Sequence, residues 1–100
     1  MPKVELHLRL RVEPSQQDAL KEFLCRAGPY YEQPGGIEVV LLRLAGEVDR
    51  FIEVVRYVDE RTFEADQARV ENDPRMKELL AEWRTLLAEP PVIEVYREVR

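Results

Sequence analysis

The sequence predicts an α+β protein of the ferredoxin-like type, in which helices cover one face of a four-stranded antiparallel sheet. Three observations support this prediction: a strictly alternating strand near the N-terminus, two further strands joined by a short turn, and helical apolar spacing between the strands. A chain of 100 residues is long enough for one core and too short for two. We therefore expect residues 1–100 to form a single domain.

The first two elements are a strand and a helix. Apolar and polar residues alternate strictly from Lys3 to Val12, which is typical of a strand with one buried face. Pro14 ends strand pairing, and apolar residues then recur at helical spacing. Gly28-Pro29 ends this spacing, so residues 28–36 are predicted to form a loop or a frayed helical end.

Two neighbouring strands form the middle of the chain. Residues 37–44 and 51–58 are rich in branched and aromatic side chains, and a glycine-containing segment of hairpin length separates them. They are predicted to pair antiparallel. Both strands carry apolar residues at consecutive positions, so both of their faces are apolar.

Helical spacing returns in the last third of the chain. Asp59 is placed to cap a helix that runs to about Val70, and Pro74 begins a second helix with a stronger apolar stripe. Pro90-Pro91 ends that helix, and residues 92–99 predict the last strand. Right-handed crossovers place the helices on one sheet face and the first strand between the third and fourth.

The sheet face that the helices leave open decides whether the protein meets water, a ligand or a partner chain. Because the two middle strands are apolar on both faces, a monomer would expose a large apolar patch. The sequence therefore predicts a homodimer whose sheets face each other. A monomer with a partly apolar open face is the alternative.

Polar side chains are predicted to gather on the same open face. If the more apolar side of each strand faces the helices, the open face carries His7, Arg9, Glu53, Tyr57 and Tyr96. A histidine beside a carboxylate can act as a general base, so His7 is the candidate base and Glu53 its orienting partner. Arg9, Tyr57 and Tyr96 are candidate substrate-binding residues. The competing interpretation is that these groups only pair with one another.

Three aromatic residues outside this group, Trp83, Tyr30 and Tyr31, have predicted roles of their own. Trp83 falls on the apolar stripe of the last helix and is predicted to fill the core. Tyr30 and Tyr31 follow the first apolar helix stripe, and they either close the mouth of a pocket or simply pack.

Composition argues against several classes of function. The net charge is -5 and no basic stripe is present, so nucleic acid is not an expected partner. The longest uninterrupted apolar run, residues 39–42, is far shorter than the roughly 20 residues of a membrane span. No signal-peptide core follows Met1, so a cytoplasmic location is expected. One cysteine and one histidine provide no metal-ligand cluster, and we expect neither metal nor cofactor.

Several short motifs are spread over nearly the whole chain. Besides the alternating first strand and residues 51–57, they are Pro34-Gly35, Asp59-Glu60, Phe63-Glu64-Ala65 and Asn72-Asp73-Pro74. Together they resemble the antibiotic biosynthesis monooxygenase-like proteins of the dimeric α/β barrel superfamily. In that family the third strand typically ends in an aromatic residue, usually Trp, and the next helix carries a His. Here Tyr57 stands at the aromatic position, and Asp66 or a neighbour replaces the His.

The resemblance implies a homodimer, a dimeric α/β barrel, that acts on quinol-like or polycyclic aromatic compounds. Such enzymes often use oxygen without a metal or flavin, because the electron-rich substrate supplies the electrons. The first hypothesis is therefore a cofactor-independent, monooxygenase-like enzyme acting on a small aromatic or quinol-like compound. The second is a non-catalytic small-ligand-binding or structural dimer, which the absent His favours. One fold serves several functions, so the fold alone does not separate the two.

Overall fold

The computed structural model describes residues 3–100 and has the predicted order of elements. The strands are β1 (Val4–Arg11), β2 (Ile37–Arg43), β3 (Arg50–Tyr57) and β4 (Val92–Arg97). The helices are α1 (Gln17–Glu32), α2 (Glu60–Asn72) and α3 (Pro74–Thr85), with a 3-10 helical turn at Pro14–Gln16 before α1. The predicted ferredoxin-like α+β fold is confirmed.

All four strands belong to one antiparallel sheet with the order β2-β3-β1-β4. The alternating strand β1 is therefore central, between β3 and β4, as predicted. Leu8 of β1 lies opposite Glu53 on one side and Ile93 on the other. Residues that are directly opposite share a sheet face, so this register decides which side chains meet the helices.

The core lies between the sheet and the helices. Alternate residues of β1 and β3 pack against the apolar stripes of α1 and α3. Trp83 of α3 is only 4% exposed, and its predicted place in the core is confirmed. The largest fully buried side chains are Tyr57, Phe23, Leu20, Leu79, Val4 and Val12.

Helix α1 extends further than the sequence predicts. The helix does not end at Gly28-Pro29 but continues to Glu32, with Pro29 inside it. A proline removes only one backbone donor, and Arg69 of α2 donates to the carbonyl oxygens of Tyr30 at 3.1 Å and Tyr31 at 2.7 Å. This contact from a distant helix satisfies the last turn of α1.

Aspartate caps begin the two later helices. Asp59 accepts hydrogen bonds from the backbone nitrogen of Thr62 at 2.8 Å and from its hydroxyl at 2.6 Å, which confirms the predicted cap. Asp73 caps α3 by accepting from the backbone nitrogen of Arg75 at 3.0 Å. No helix within residues 3–100 is long and apolar enough to cross a membrane.

The turn before β2 depends on glycine. Gly35 and Gly36 have φ values of 85° and 73°, a backbone region that residues with a side chain rarely adopt. A Cβ on Gly36 would lie 2.8 Å from Cγ2 of Val58, so the backbone approaches this residue, the first after β3, more closely than a side chain at position 36 allows. This turn sets β2 beside the end of β3.

Candidate functional site

The structure places Glu53 and Tyr57 on the helix-covered face of the sheet. Glu53 lies opposite Leu8 and Leu41, and Tyr57 lies opposite Val4. Both side chains are buried, at 4% and 2% exposure. The prediction that they share the open face with His7 is therefore wrong.

The error has a physical cause in β3. Ile52 and Val54 lie on the open face, so the rule that the more apolar side faces the helices fails for this strand. Glu53 is tolerated on the covered face because it has a buried hydrogen-bond partner in Trp83. His7 and Glu53 thus point to opposite sides of the sheet, and Glu53 does not orient His7.

His7, Arg9 and Tyr96 do lie together on the open face, as predicted. Nε2 of His7 is 2.9 Å from Oε1 of Glu5, and the rings of His7 and Tyr96 have centroids 4.5 Å apart. Arg9 donates to Oε1 of Glu94 at 2.9 Å, and the Tyr96 hydroxyl donates to the same oxygen at 3.0 Å. These groups satisfy one another, which supports the structural-pairing interpretation.

A pocket of about 170 Å³ lies on the helix-covered face, between the sheet and helices α2 and α3. An apolar cavity of about 150 Å³ is enough to bind benzene, so this pocket has room for one aromatic ring. Its wall is mainly apolar, with side chains that include Leu6, Leu8, Val39, Val55, Leu80 and Trp83. Polar side chains enter it at Tyr31, Glu53, Tyr57, Asp66, Gln67 and Arg69.

Glu53 is a buried carboxyl group in this wall. Nε1 of Trp83 donates to its Oε1 at 3.1 Å. Burial disfavours the charged form and raises the pKa of Glu53 to about 7, against the lowering effect of the Trp83 hydrogen bond. A carboxyl group that titrates near neutral pH is suited to accept a proton as a general base.

A second polar group in the wall consists of Tyr57, Asp66 and Arg69. The Tyr57 hydroxyl donates to Oδ2 of Asp66 at 2.5 Å, and Nη2 of Arg69 lies 3.1 Å from Oδ1 of the same carboxylate. Burial, together with the hydrogen bond to Asp66, raises the pKa of Tyr57, which therefore stays a neutral donor. Tyr57 and Asp66 are the residues at the aromatic and His positions of the resemblance, and they bond directly to each other.

Tyr31 enters the pocket from the last turn of α1. Its hydroxyl oxygen is buried and has no hydrogen-bond partner among residues 3–100. The sequence predicts either that Tyr31 closes a pocket or that it simply packs. The structure supports both in part, because the ring packs against the core and also lines the pocket.

Sequence reasoning missed most of this pocket. Trp83 was predicted only as core, although its indole nitrogen holds Glu53. Asp66 and Arg69 are three residues apart and so share a helix face, a signal that the sequence does contain. Within residues 3–100, no three His, Cys, Asp or Glu side chains are grouped so that they could hold a metal ion.

No family model matches the sequence, and no curated protein matches it. Solved structures do match. A variant of SnoaB, a cofactor-independent oxygenase from Streptomyces nogalater, is 14% identical, with 98% of this chain and 94% of that chain covered and a TM-score of 0.77. A candidate antibiotic biosynthesis monooxygenase from Bordetella bronchiseptica is 19% identical, with 100% of each chain covered and a TM-score of 0.74. The chain has the antibiotic biosynthesis monooxygenase fold.

The predicted resemblance is thereby confirmed at the level of the fold. A protein of unknown function from Nitrosomonas europaea shares this fold and is 29% identical, with 100% of this chain and 92% of that chain covered and a TM-score of 0.70. Proteins with the antibiotic biosynthesis monooxygenase fold therefore include both an oxygenase and a protein without a known activity.

Proposed function

We propose that this protein is a cofactor-independent, monooxygenase-like enzyme that oxidises a small quinol. The observation that carries the proposal is the pocket, which combines an apolar wall, a volume of about 170 Å³ and a buried carboxyl group with a pKa of about 7. The volume suits a single ring better than a polycyclic compound. The fold shared with SnoaB, a cofactor-independent oxygenase, supports the reaction class.

A quinol can supply every electron that this reaction needs. One benzenediol and one O₂ give one hydroxybenzoquinone and one water. One oxygen atom forms a new C–O bond at a ring carbon, which loses its hydrogen, and the other oxygen leaves as water. The diol gives up four electrons, so the balance requires no other reductant.

Glu53 is the proposed general base. Its carboxylate takes the proton from a hydroxyl group of the quinol, and the resulting phenolate reduces O₂ more readily than the neutral quinol does. The hydrogen bond from Trp83 holds one carboxylate oxygen in place at the pocket wall. His7 lies on the opposite face of the sheet and takes no part in this step.

Oxygen uptake with a panel of benzenediols tests the proposal. Glu53→Gln keeps the shape of the side chain but removes the base, and we expect it to lower kcat by about a hundredfold or more. In the wild-type protein, kcat is expected to rise with pH as Glu53 ionises around its pKa of about 7.

The control is Glu64→Gln, which changes an exposed carboxylate of α2 that does not line the pocket. This variant is expected to keep the wild-type rate. Full activity of Glu53→Gln would exclude Glu53 as the base. Oxygen uptake no faster than the uncatalysed rate with every diol would contradict the enzyme proposal.

The second candidate function is non-catalytic binding of a small aromatic ligand in the same pocket. It is favoured by Asp66, which stands where the resemblance expects a His and bonds to Tyr57. A melting shift with diols, but with no oxygen consumption, would favour this candidate over the enzyme.

We also propose that a second copy of the chain covers the open face. Leu42, Val92 and Tyr96 on this face are 44%, 56% and 45% exposed, which is unusual for large apolar side chains of a monomer. Light scattering is expected to give twice the chain mass of 11.8 kDa. Leu42→Glu should halve that mass without unfolding, and a wild-type monomer would contradict the dimer.

A further inference from the structure

The hydroxyl group of Tyr31 is a buried group that the proposed reaction does not use. No protein atom within residues 3–100 forms a hydrogen bond with it. A buried hydroxyl without a partner is costly, and native structures rarely leave one unsatisfied. Because Tyr31 lines the pocket, its partner is expected to be a group that occupies the pocket.

Several neighbouring polar groups of the pocket have partners within the protein. Trp83 donates to Glu53, and Tyr57 donates to Asp66. The guanidinium group of Arg69 donates to two carbonyl oxygens of α1 and lies 5.3 Å from the centroid of the Tyr30 ring. Within residues 3–100, Oδ1 of Asp66 and Nε of Arg69 are also buried without a hydrogen bond, but these two side chains form an ion pair at 3.1 Å. The Tyr31 hydroxyl has neither a hydrogen bond nor an ion pair among these residues, so it is free to recognise a ligand.

Tyr31 and Glu53 reach the pocket from different elements. Tyr31 belongs to the last turn of α1, and Glu53 belongs to β3. The backbone of Tyr31 is held in place, since Arg69 donates to its carbonyl oxygen at 2.7 Å. Burial, and then the negative charge of Glu53, raise the pKa of Tyr31, so its hydroxyl remains a donor at neutral pH.

We propose that Tyr31 determines specificity by binding a second oxygen atom on the substrate ring. The inference rests on the proposed function and names the residue that distinguishes a ring with two oxygen substituents from a ring with one. One hydroxyl of such a ring donates to Glu53, while the other oxygen accepts a hydrogen bond from Tyr31. A monophenol fills the same apolar volume but leaves the Tyr31 hydroxyl without a partner.

Fluorescence titration tests this recognition, because Trp83 is the one tryptophan of the chain and lines the pocket. The probes are phenol and the three benzenediols catechol, resorcinol and hydroquinone, titrated without oxygen so that no turnover occurs. The wild-type protein is expected to bind the best diol about two- to tenfold more tightly than phenol, as one hydrogen bond contributes.

Two neighbouring tyrosines provide a matched pair of variants. Tyr31→Phe is expected to bind phenol and the best diol with nearly equal affinity. Tyr30→Phe removes the adjacent hydroxyl, which donates to Asp73 outside the pocket, and it should keep the wild-type preference. A preference that persists in Tyr31→Phe would overturn the inference and leave the proposed function intact. Failure of all four probes to bind the wild-type protein would overturn both.

The melting temperature of the free protein gives a second readout. Tyr31→Phe removes an unsatisfied buried hydroxyl, so it is expected to melt at or above the wild-type temperature. Tyr30→Phe loses its hydrogen bond to Asp73 and should melt lower. A clear loss of stability in Tyr31→Phe would assign its hydroxyl a structural role and would overturn the inference.

Discussion

The two faces of the sheet have opposite effects on their carboxyl groups. On the open face, the hydrogen bond from Arg9 lowers the pKa of Glu94. On the helix-covered face, burial raises the pKa of Glu53 to about 7. The residue type is the same, so the difference comes from the surroundings: Arg9 and Tyr96 donate to Glu94, whereas burial removes Glu53 from water.

Because of this difference, the charged groups of the two faces have different roles. The Arg9 and Glu94 side chains are 59% and 35% exposed, and ion pairs of this kind contribute little because solvent screens them. Glu53 is 4% exposed, and within residues 3–100 Trp83 is the one donor to its carboxyl group. The covered face therefore holds a carboxyl group that changes its protonation near neutral pH, whereas the charged groups of the open face bind one another.

The largest expected effect is that of Trp83→Ala on the covered face. It removes a buried aromatic ring and the donor to Glu53, and should lower the free energy of unfolding by about 3 to 5 kcal/mol. Urea denaturation measures this loss. Lys77→Ala, an exposed change on the same helix, is the control and should stay within about 0.5 kcal/mol of wild type. Equal losses of unfolding free energy in the two variants would show that the pocket wall is not packed as tightly as the core.

The stability of the folded protein is expected to depend on pH through Glu53. The folded-state pKa of Glu53 is about 7 and lies above the ordinary value of 4.5, so ionisation opposes folding. The stability that the neutral Glu53 side chain allows is fully present below about pH 4.5. It is lost as the pH rises through about 7, and the free energy of unfolding falls by a total of about 3 kcal/mol. Glu53→Gln should remove this loss and be more stable than wild type above that pH.

The open face supplies the control for this pH dependence. The pKa of Glu94 is lowered, so its contribution is lost only when the pH falls below its ordinary range. Glu94→Gln should therefore keep the wild-type decrease in stability between about pH 5 and about pH 8. If Glu53→Gln also kept that decrease, Glu53 would not titrate near neutral pH.

Removing single hydroxyl groups sharpens the same comparison. Tyr57→Phe removes the hydroxyl that donates to Oδ2 of the buried Asp66 and should cost about 1.5 to 3 kcal/mol in unfolding free energy. Tyr96→Phe removes a hydroxyl that donates to the more exposed Glu94, and the expected loss is smaller. Calorimetry on both variants checks the order, and the reverse order would contradict the contrast between the faces.

The smallest effect is expected for His7→Ala. His7 lies on the open face, away from the pocket, so this variant should consume oxygen with benzenediols at the wild-type rate. Loss of oxygen uptake in a folded His7→Ala protein would move the chemistry to the open face and would exclude the Glu53 mechanism.

The order of the strands and helices follows from local sequence patterns. The alternation in β1 has one apolar side, so its buried face was unambiguous, and the structure agrees. The Asp59 cap and Pro74 also mark helix starts through purely local chemistry. Features that depend only on residues close together in the chain can be predicted, because their chemistry is local.

Which side chains contact one another depends on the tertiary structure. In β3, apolar residues occupy both sides, so its pattern does not say which side faces the helices, and a one-residue shift would exchange them. The register with β1 makes that choice and buries Glu53 beside Trp83, thirty positions away in the chain. The last turn of α1 likewise depends on Arg69, a partner that no local pattern around Gly28-Pro29 contains.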